Sequence, residues 1–235
     1  GNTKYDQTYA TVSPEEREDL KKEFRFDGAG PVIVAGSTHG GEEEILMRSF
    51  KEILKTYPEA RLLLAVREVT RAAKVKAHIY LHGFSVIRRT EMGTASDNGE
   101  PHQVVILDTI GELGRLYSMA DVVFVGGSFV KVGGHNILEP AAHGKPVIVG
   151  PYMFNFKEIF ELLSKRGVCL MAKDEADFTN KLLALLGDRA RIADMGRKAL
   201  EVVAENQGAT RRNIERFEEL VRQYHVKLKE GDHES

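Results

Sequence analysis

Short apolar, β-branched runs alternate along this chain with amphipathic stretches of helical period. The runs are PVIVAG (31–36), RLLLAV (61–66), SVIRRT (85–90), VVILD (104–108), DVVFVGG (121–127), PVIVGP (146–151) and VCLMA (168–172). Most are apolar on successive rather than alternate positions and end in turn residues, which is the pattern of strands covered on both faces. Between them, helices are predicted from the cap-like Ser13, over ILMRSFKEILKTY (45–57), 68–81, GELGRLYSMA (111–120), NILEPAAHG (136–144), NFKEIFELLSKRG (155–167) and DEADFTNKLLALLGD (174–188), and in a long segment over about 189–229. GTASDNGEPH (93–102) reads as an exposed loop. Strand–helix alternation with short connections predicts an α/β fold, a Rossmann-like doubly wound parallel sheet, and a single domain over 1–235.

Composition narrows the function classes. With 235 residues and 42% hydrophobic content the chain can bury one substantial core. Its net charge of −2 gives no electrostatic case for nucleic acid. The lone Cys169, in an apolar run, excludes an internal disulfide framework and fits a reducing compartment. No run approaches the ~20 apolar residues that span a bilayer, so a soluble chain is expected. The opening GNTKYDQTYA has no Met and reads as the interior of a longer protein.

Ligands of open parallel sheets bind beyond the carboxyl ends of the strands. That places candidate chemistry in the loops 36–42, 67–71, 108–112, 127–136 and 150–155. In GGSFVKVGGHN, two glycine pairs separate a strand from a helix that Asn136 would cap. Such a helix start offers unpaired N–H groups to a phosphate. Gly127, Ser128, Gly134, His135, Asn136, Ile137 and Leu138 are therefore candidates, with Glu139 one turn in, where its carboxylate would accept two hydrogen bonds from a ribose diol. Asn136 and Glu139 also satisfy an ordinary capping box, and the glycines fit tight turns. The segment is neither a P-loop nor G-x-G-x-x-G.

AGSTHGGEEEI (35–45) repeats the design, with Ser37 or Thr38 as cap; phosphate contacts from Ser37, Thr38 or His39 are expected, because Glu42, Glu43 and Glu44 repel an anion deeper in the helix. Arg67 ends a strand and points a cation at the crevice, whereas Arg71 reads as solvated. In DTIGELGRLY (108–117), Ile110 offers a stacking surface, Gly111 a close backbone approach, and Glu112 follows. Tyr152, Phe154, Asn155 and Phe156 are candidate lining. His39, His135 and His143 show no metal-ligand spacing, so no metal is expected, and no base or nucleophile for catalysis stands out.

GGSFVKVGGHNILEPAAHGKPVIVGPYMFNFKEI closely resembles the signature of bacterial 3-deoxy-D-manno-octulosonic acid (Kdo) transferases. AGSTHGGEEEI, DTIGELGRLYSMADVVFVGGS and the opening GNTKYDQ resemble that family too, and the likeness runs from residue 1 to about 220. It implies the C-terminal, donor-binding half of a GT-B enzyme that transfers Kdo from CMP-Kdo to a lipid A precursor at the cytoplasmic face of the inner membrane, in lipopolysaccharide biosynthesis. CMP-Kdo would be the donor substrate, with no cofactor. Asn136 and Glu139 fall on the family's nucleotide-binding stretch, and Ile110, Gly111 and Glu112 on its second CMP-contacting segment. Arg67 matches an arginine after the second strand, although the family's Pro-Arg-His-Pro reads Val66-Arg67-Glu68-Val69 here. The family's general base, its membrane association and its acceptor pocket belong to the N-terminal half, so this chain alone would be inactive. A half of another GT-B enzyme using a UDP-sugar, or a non-catalytic nucleotide-binding module, are the alternatives.

Overall fold

The computed structural model describes residues 9, 11–28, 30–95 and 97–206. Seven parallel strands form one sheet: β1 (Val32–Thr38), β2 (Arg61–Val66), β3 (Val86–Arg88), β4 (Val104–Leu107), β5 (Val122–Val125), β6 (Val147–Val149) and β7 (Cys169–Met171). Each falls inside one of the apolar runs except β1, which runs two residues past its run to Thr38. Their order is β3-β4-β2-β1-β5-β6-β7. The chain winds outward from β1 on one side, then crosses over to place β5 on the other, so β1 and β5 flank the topological switch point. β3 and β4 are exchanged relative to a simple outward winding.

Helices cover both faces. They are α1 (Pro14–Glu23), α2 (Glu42–Thr56), α3 (Ala72–Leu81), α4 (Leu113–Leu116), α5 (Leu138–Ala142), α6 (Lys157–Lys165), α7 (Glu175–Leu186) and α8 (Arg189–Asn206). α1 starts where the sequence says it must: the Ser13 hydroxyl accepts from Glu16 N–H, and the Glu16 carboxylate accepts from Ser13 N–H, a complete capping box with Pro14 at the first position. The Asp174 carboxylate caps α7. Strand pleating splits the core. Val32 and Val34 of β1 face a cluster with Leu20, Leu138, Ile159 and Val202, while Ile33 and Ala35 face Leu46, Val75, Ile79 and Phe178.

Three expectations need adjusting. The 111–120 stretch divides into the one-turn α4 and a 3-10 turn over Tyr117–Met119. The loop at 93–102 is pinned at its centre, where Arg25 holds Asp97 through two hydrogen bonds of 2.8 and 2.5 Å. Of the helix expected over about 189–229, Arg189–Asn206 is seen, and the remainder lies outside the described residues. Among the described residues no helix is long and apolar enough to cross a membrane.

Candidate functional site

Loops from β1, β2, β4 and β5 meet at the carboxyl edge of the sheet. The glycine-rich loop after β5 does hold an anion, but that anion is the protein's own Glu42. This carboxylate is fully buried. Its Oε2 accepts from His39 N–H at 2.9 Å and Gly127 N–H at 2.8 Å, and its Oε1 from Ser128 N–H at 3.0 Å and Phe129 N–H at 2.9 Å. All four bonds are charge-assisted. The backbone amides of Gly127 and Ser128 are therefore not open to a phosphate. The Ser128 hydroxyl is also engaged, donating to Val125 O and accepting from Gly150 N–H.

The glycines serve this packing. A Cβ on Gly126 would sit 2.4 Å from Ser37 O and 2.8 Å from Glu42 Oε2, so only glycine lets β5 pass the α2 N-terminus. Gly133, at φ +102°, lies against Phe154 and Asn155, where a Cβ would come within 2.4 Å of the ring. Gly134 likewise meets Met153. The second glycine pair thus seats the 152–155 segment against its own loop.

The expected caps of α2 also differ. Gly41, left-handed at φ +96°, starts the helix without a side-chain cap. Thr38 is wholly buried and its hydroxyl donates to Glu43 Oε1 at 3.2 Å, away from the crevice. Ser37 adopts an unusual left-handed φ of +56° at the end of β1. Arg71 is ion-paired rather than solvated: it reaches Glu43 at 3.2 and 3.3 Å, compensating a buried carboxylate. Glu43 is masked from the crevice by these partners.

What faces the crevice is another part of the expected set. His39, after β1, and His135, after β5, meet across the switch point, their Nε2 atoms 2.7 Å apart and their rings stacked at 5.0 Å. Burial, reinforced by His39 and Arg67, pushes His135 down to about 4, so this ring is neutral at pH 7. The Arg67 side chain is exposed and has no hydrogen bond or ion pair among the described residues, yet its charge is felt at His135. Arg67 makes the crevice locally basic beside the two rings.

Asn136 lies one residue before the cap of α5, and its Oδ1 accepts from Leu138 N–H at 3.0 Å. With Leu138 bonded and Pro140 lacking an N–H, the amides of Ile137 and Glu139 remain without an acceptor among the described residues. α5 has five residues, so its dipole is smaller than a full helix would supply.

Glu139 is partly buried, and its carboxyl pKa is raised by desolvation. No hydrogen-bond donor among the described residues reaches its carboxylate. It faces the 110–117 segment, where a Cβ on Gly114 would lie 3.5 Å from its Oε1. His143, at the end of α5, is also partly buried, and its imidazole pKa is lowered by desolvation. Tyr117, fully buried with its pKa pushed up by burial and by Glu139, fills the floor beside Gly36. Ile110 projects into solvent at 87% exposure, and Gly111 follows at φ +90°. The Glu112 side chain accepts from Thr109 and Arg115 and is thus already engaged.

Residues 42–202 match the family model described as glycosyl transferases group 1. The chain belongs to this family. It is 37% identical over 216 residues to a 3-deoxy-D-manno-octulosonic acid transferase of Haemophilus influenzae, covering 92% of this chain and 49% of that protein. A protein of the same name from Aquifex aeolicus is 37% identical over 163 residues, 69% of this chain and 44% of that one. The chain thus spans about half the length of the curated relatives it matches. Among solved structures, the C-terminal CMP-Kdo binding domain of WaaA from Acinetobacter baumannii superposes with a TM-score of 0.68 at 27% identity, over 79% of this chain and 96% of that one. The all-parallel sheet is the one the strand–helix alternation predicts, and it is that of one half of a GT-B glycosyltransferase, as the family resemblance implies.

Sequence reasoning missed two partnerships. Glu42 reads as an anion-repelling first-turn residue, and nothing local links it to amides 85 residues away. His39 and His135 stand 96 residues apart, and only the β1–β5 pairing brings them together.

Proposed function

We propose that this chain is the donor-nucleotide half of a Kdo transferase and that CMP-Kdo binds at the carboxyl edge of the sheet. The observation that carries this reading is Glu139: a partly buried carboxylate in the first turn of α5, beside Gly114, that lacks a donor among the described residues. A ribose diol supplies the two donors that such a carboxylate needs. The base then lies over Ile110 and is read by the backbone of Gly111 and Glu112. The phosphate rests on the amides of Ile137 and Glu139, within reach of His135, His39 and Arg67. Gly134 and Asn136 shape that turn, and Ser37 borders it from β1.

The reaction of the whole enzyme is an inverting displacement at the Kdo anomeric carbon, with CMP leaving. This half lowers the barrier by stabilising charge that grows on the departing phosphate, using preorganised amides and the basic crevice, with no cofactor. The general base, the lipid A precursor site and attachment to the cytoplasmic face of the inner membrane belong to the part of the relatives that this chain does not match. On this reading the chain alone binds donor and does not transfer sugar.

NMR titration with CMP, UMP and UDP to millimolar concentration tests it, since one half of a cleft binds weakly. CMP is expected to win, and Glu139→Ala to weaken it about ten- to a hundredfold, the loss of two hydrogen bonds of roughly 1 kcal/mol each. A folded chain that ignores CMP, or that prefers UDP, sinks the proposal.

A further inference from the structure

Between α2 and α3, both packed over the core cluster of Leu46, Val75 and Ile79, three metal-ligating side chains converge. His78 Nε2 lies 2.7 Å and His82 Nε2 3.1 Å from the same oxygen of Glu44, Oε2. All three ligand atoms fall within 4.8 Å of one another. We propose that Glu44, His78 and His82 form a binding site for a divalent transition metal of the zinc class.

The local geometry is of the right kind. His78 and His82 are four residues apart at the end of α3, so their rings project from one face, edge to face at 4.7 Å. A tetrahedral zinc with bonds of about 2.0–2.1 Å needs ligand atoms roughly 3.3 Å apart, close to the spacings seen. Two imidazoles and one carboxylate suit zinc, cobalt or nickel and not the all-oxygen preference of magnesium. Three protein ligands leave a fourth position to solvent, and all three residues are partly exposed, which gives the ion an entry path.

Glu44 is also held from behind. Its other oxygen, Oε1, pairs with Arg48 Nε at 3.3 Å, and Arg48 bridges on to Glu175 of α7. This outer contact fixes which oxygen faces the histidines. Ligation requires the Nε2 lone pair of each ring, so any hydrogen on Nε2 moves to Nδ1 or leaves as the ion enters. From the sequence no metal is expected and HIYLH (78–82) is not singled out, and its carboxylate partner leaves no local signal.

The test is calorimetric titration of the EDTA-stripped full chain with zinc, and with magnesium as control. One zinc per chain at micromolar affinity and no magnesium binding are expected. Cobalt should give the visible absorption of a tetrahedral site. The double variant His78→Gln/His82→Gln should weaken zinc at least about tenfold while melting like the parent in EDTA. Should that variant fold poorly, Glu44→Gln, which keeps the size and a hydrogen-bonding end, must show the same loss. Zinc binding of equal strength in either folded variant puts the ion elsewhere, for instance on His225 and His233, and overturns the proposal. So does the absence of micromolar zinc binding by the parent.

Discussion

Replacing Glu42 by glutamine tests the internal latch that shapes the crevice. The carboxylate accepts four backbone N–H groups, two on each oxygen, at 2.8–3.0 Å. Glutamine keeps one oxygen and therefore two of these bonds. Its amide nitrogen must face the other two donors, which it cannot accept from. Each bond to a charged group contributes about 1.5–3 kcal/mol, and each donor left buried adds a desolvation cost. The expected loss is about 3–5 kcal/mol, a large share of the roughly 5–15 kcal/mol that holds a domain together. With a urea slope of about 2 kcal/mol per molar, the unfolding midpoint should fall by roughly 1.5–2.5 M. Amide exchange adds a local reading: Gly127, Ser128 and Phe129 should lose protection ahead of β2, an interior strand of the sheet. A midpoint within about 0.4 M of the parent, with these amides still protected, would refute the latch.

Other consequences follow from neighbouring contacts. Gly133→Ala puts a Cβ within 2.4 Å of the Phe154 ring at φ +102°, and should cost about 2–4 kcal/mol from strain and overpacking, measured by denaturation. Arg71→Ala strips the buried Glu43 of its cation, leaving only the Thr38 hydroxyl, and should cost about 2–3 kcal/mol in the same assay, somewhat less than a fully buried pair because Arg71 is partly solvated. His135 gives a pH dependence. Its folded value near 4 lies below the 6.5 of an unfolded imidazole, so between these values the unfolded chain binds more protons and stability falls as the pH is lowered from about 6.5 to about 4. The fall is at most about 3 kcal/mol, and solvent access to the half-buried ring reduces it. Urea midpoints at pH 7, 5.5 and 4.5 should show His135→Gln losing less than the parent; equal losses would remove His135 as the cause.

Much of the architecture was legible along the chain because its signals are local. Seven apolar runs bounded by turns can bury their side chains only as strands covered on both faces, and all seven became strands. Ser13 with Glu16 and Asp174 before α7 announce helix starts through chemistry confined to four residues. The 126–139 block was singled out from its residues alone, and it does border the crevice. Its glycines were given the wrong partner. Local pattern cannot distinguish a loop whose amides await a phosphate from one whose amides are already bonded to a carboxylate, since both need the same freedom and the same close approach. Strand order made that choice: setting β5 beside β1 brought Glu42 to Gly127–Phe129 and His39 to His135, and a separation of more than 80 residues leaves no trace in any window of sequence. The sequence by itself determined the elements and the loops that gather at the carboxyl edge of the sheet, whereas the tertiary structure decided which polar groups spend themselves on one another and which, like the side chains of Glu139 and Arg67, keep no hydrogen-bond partner among the described residues.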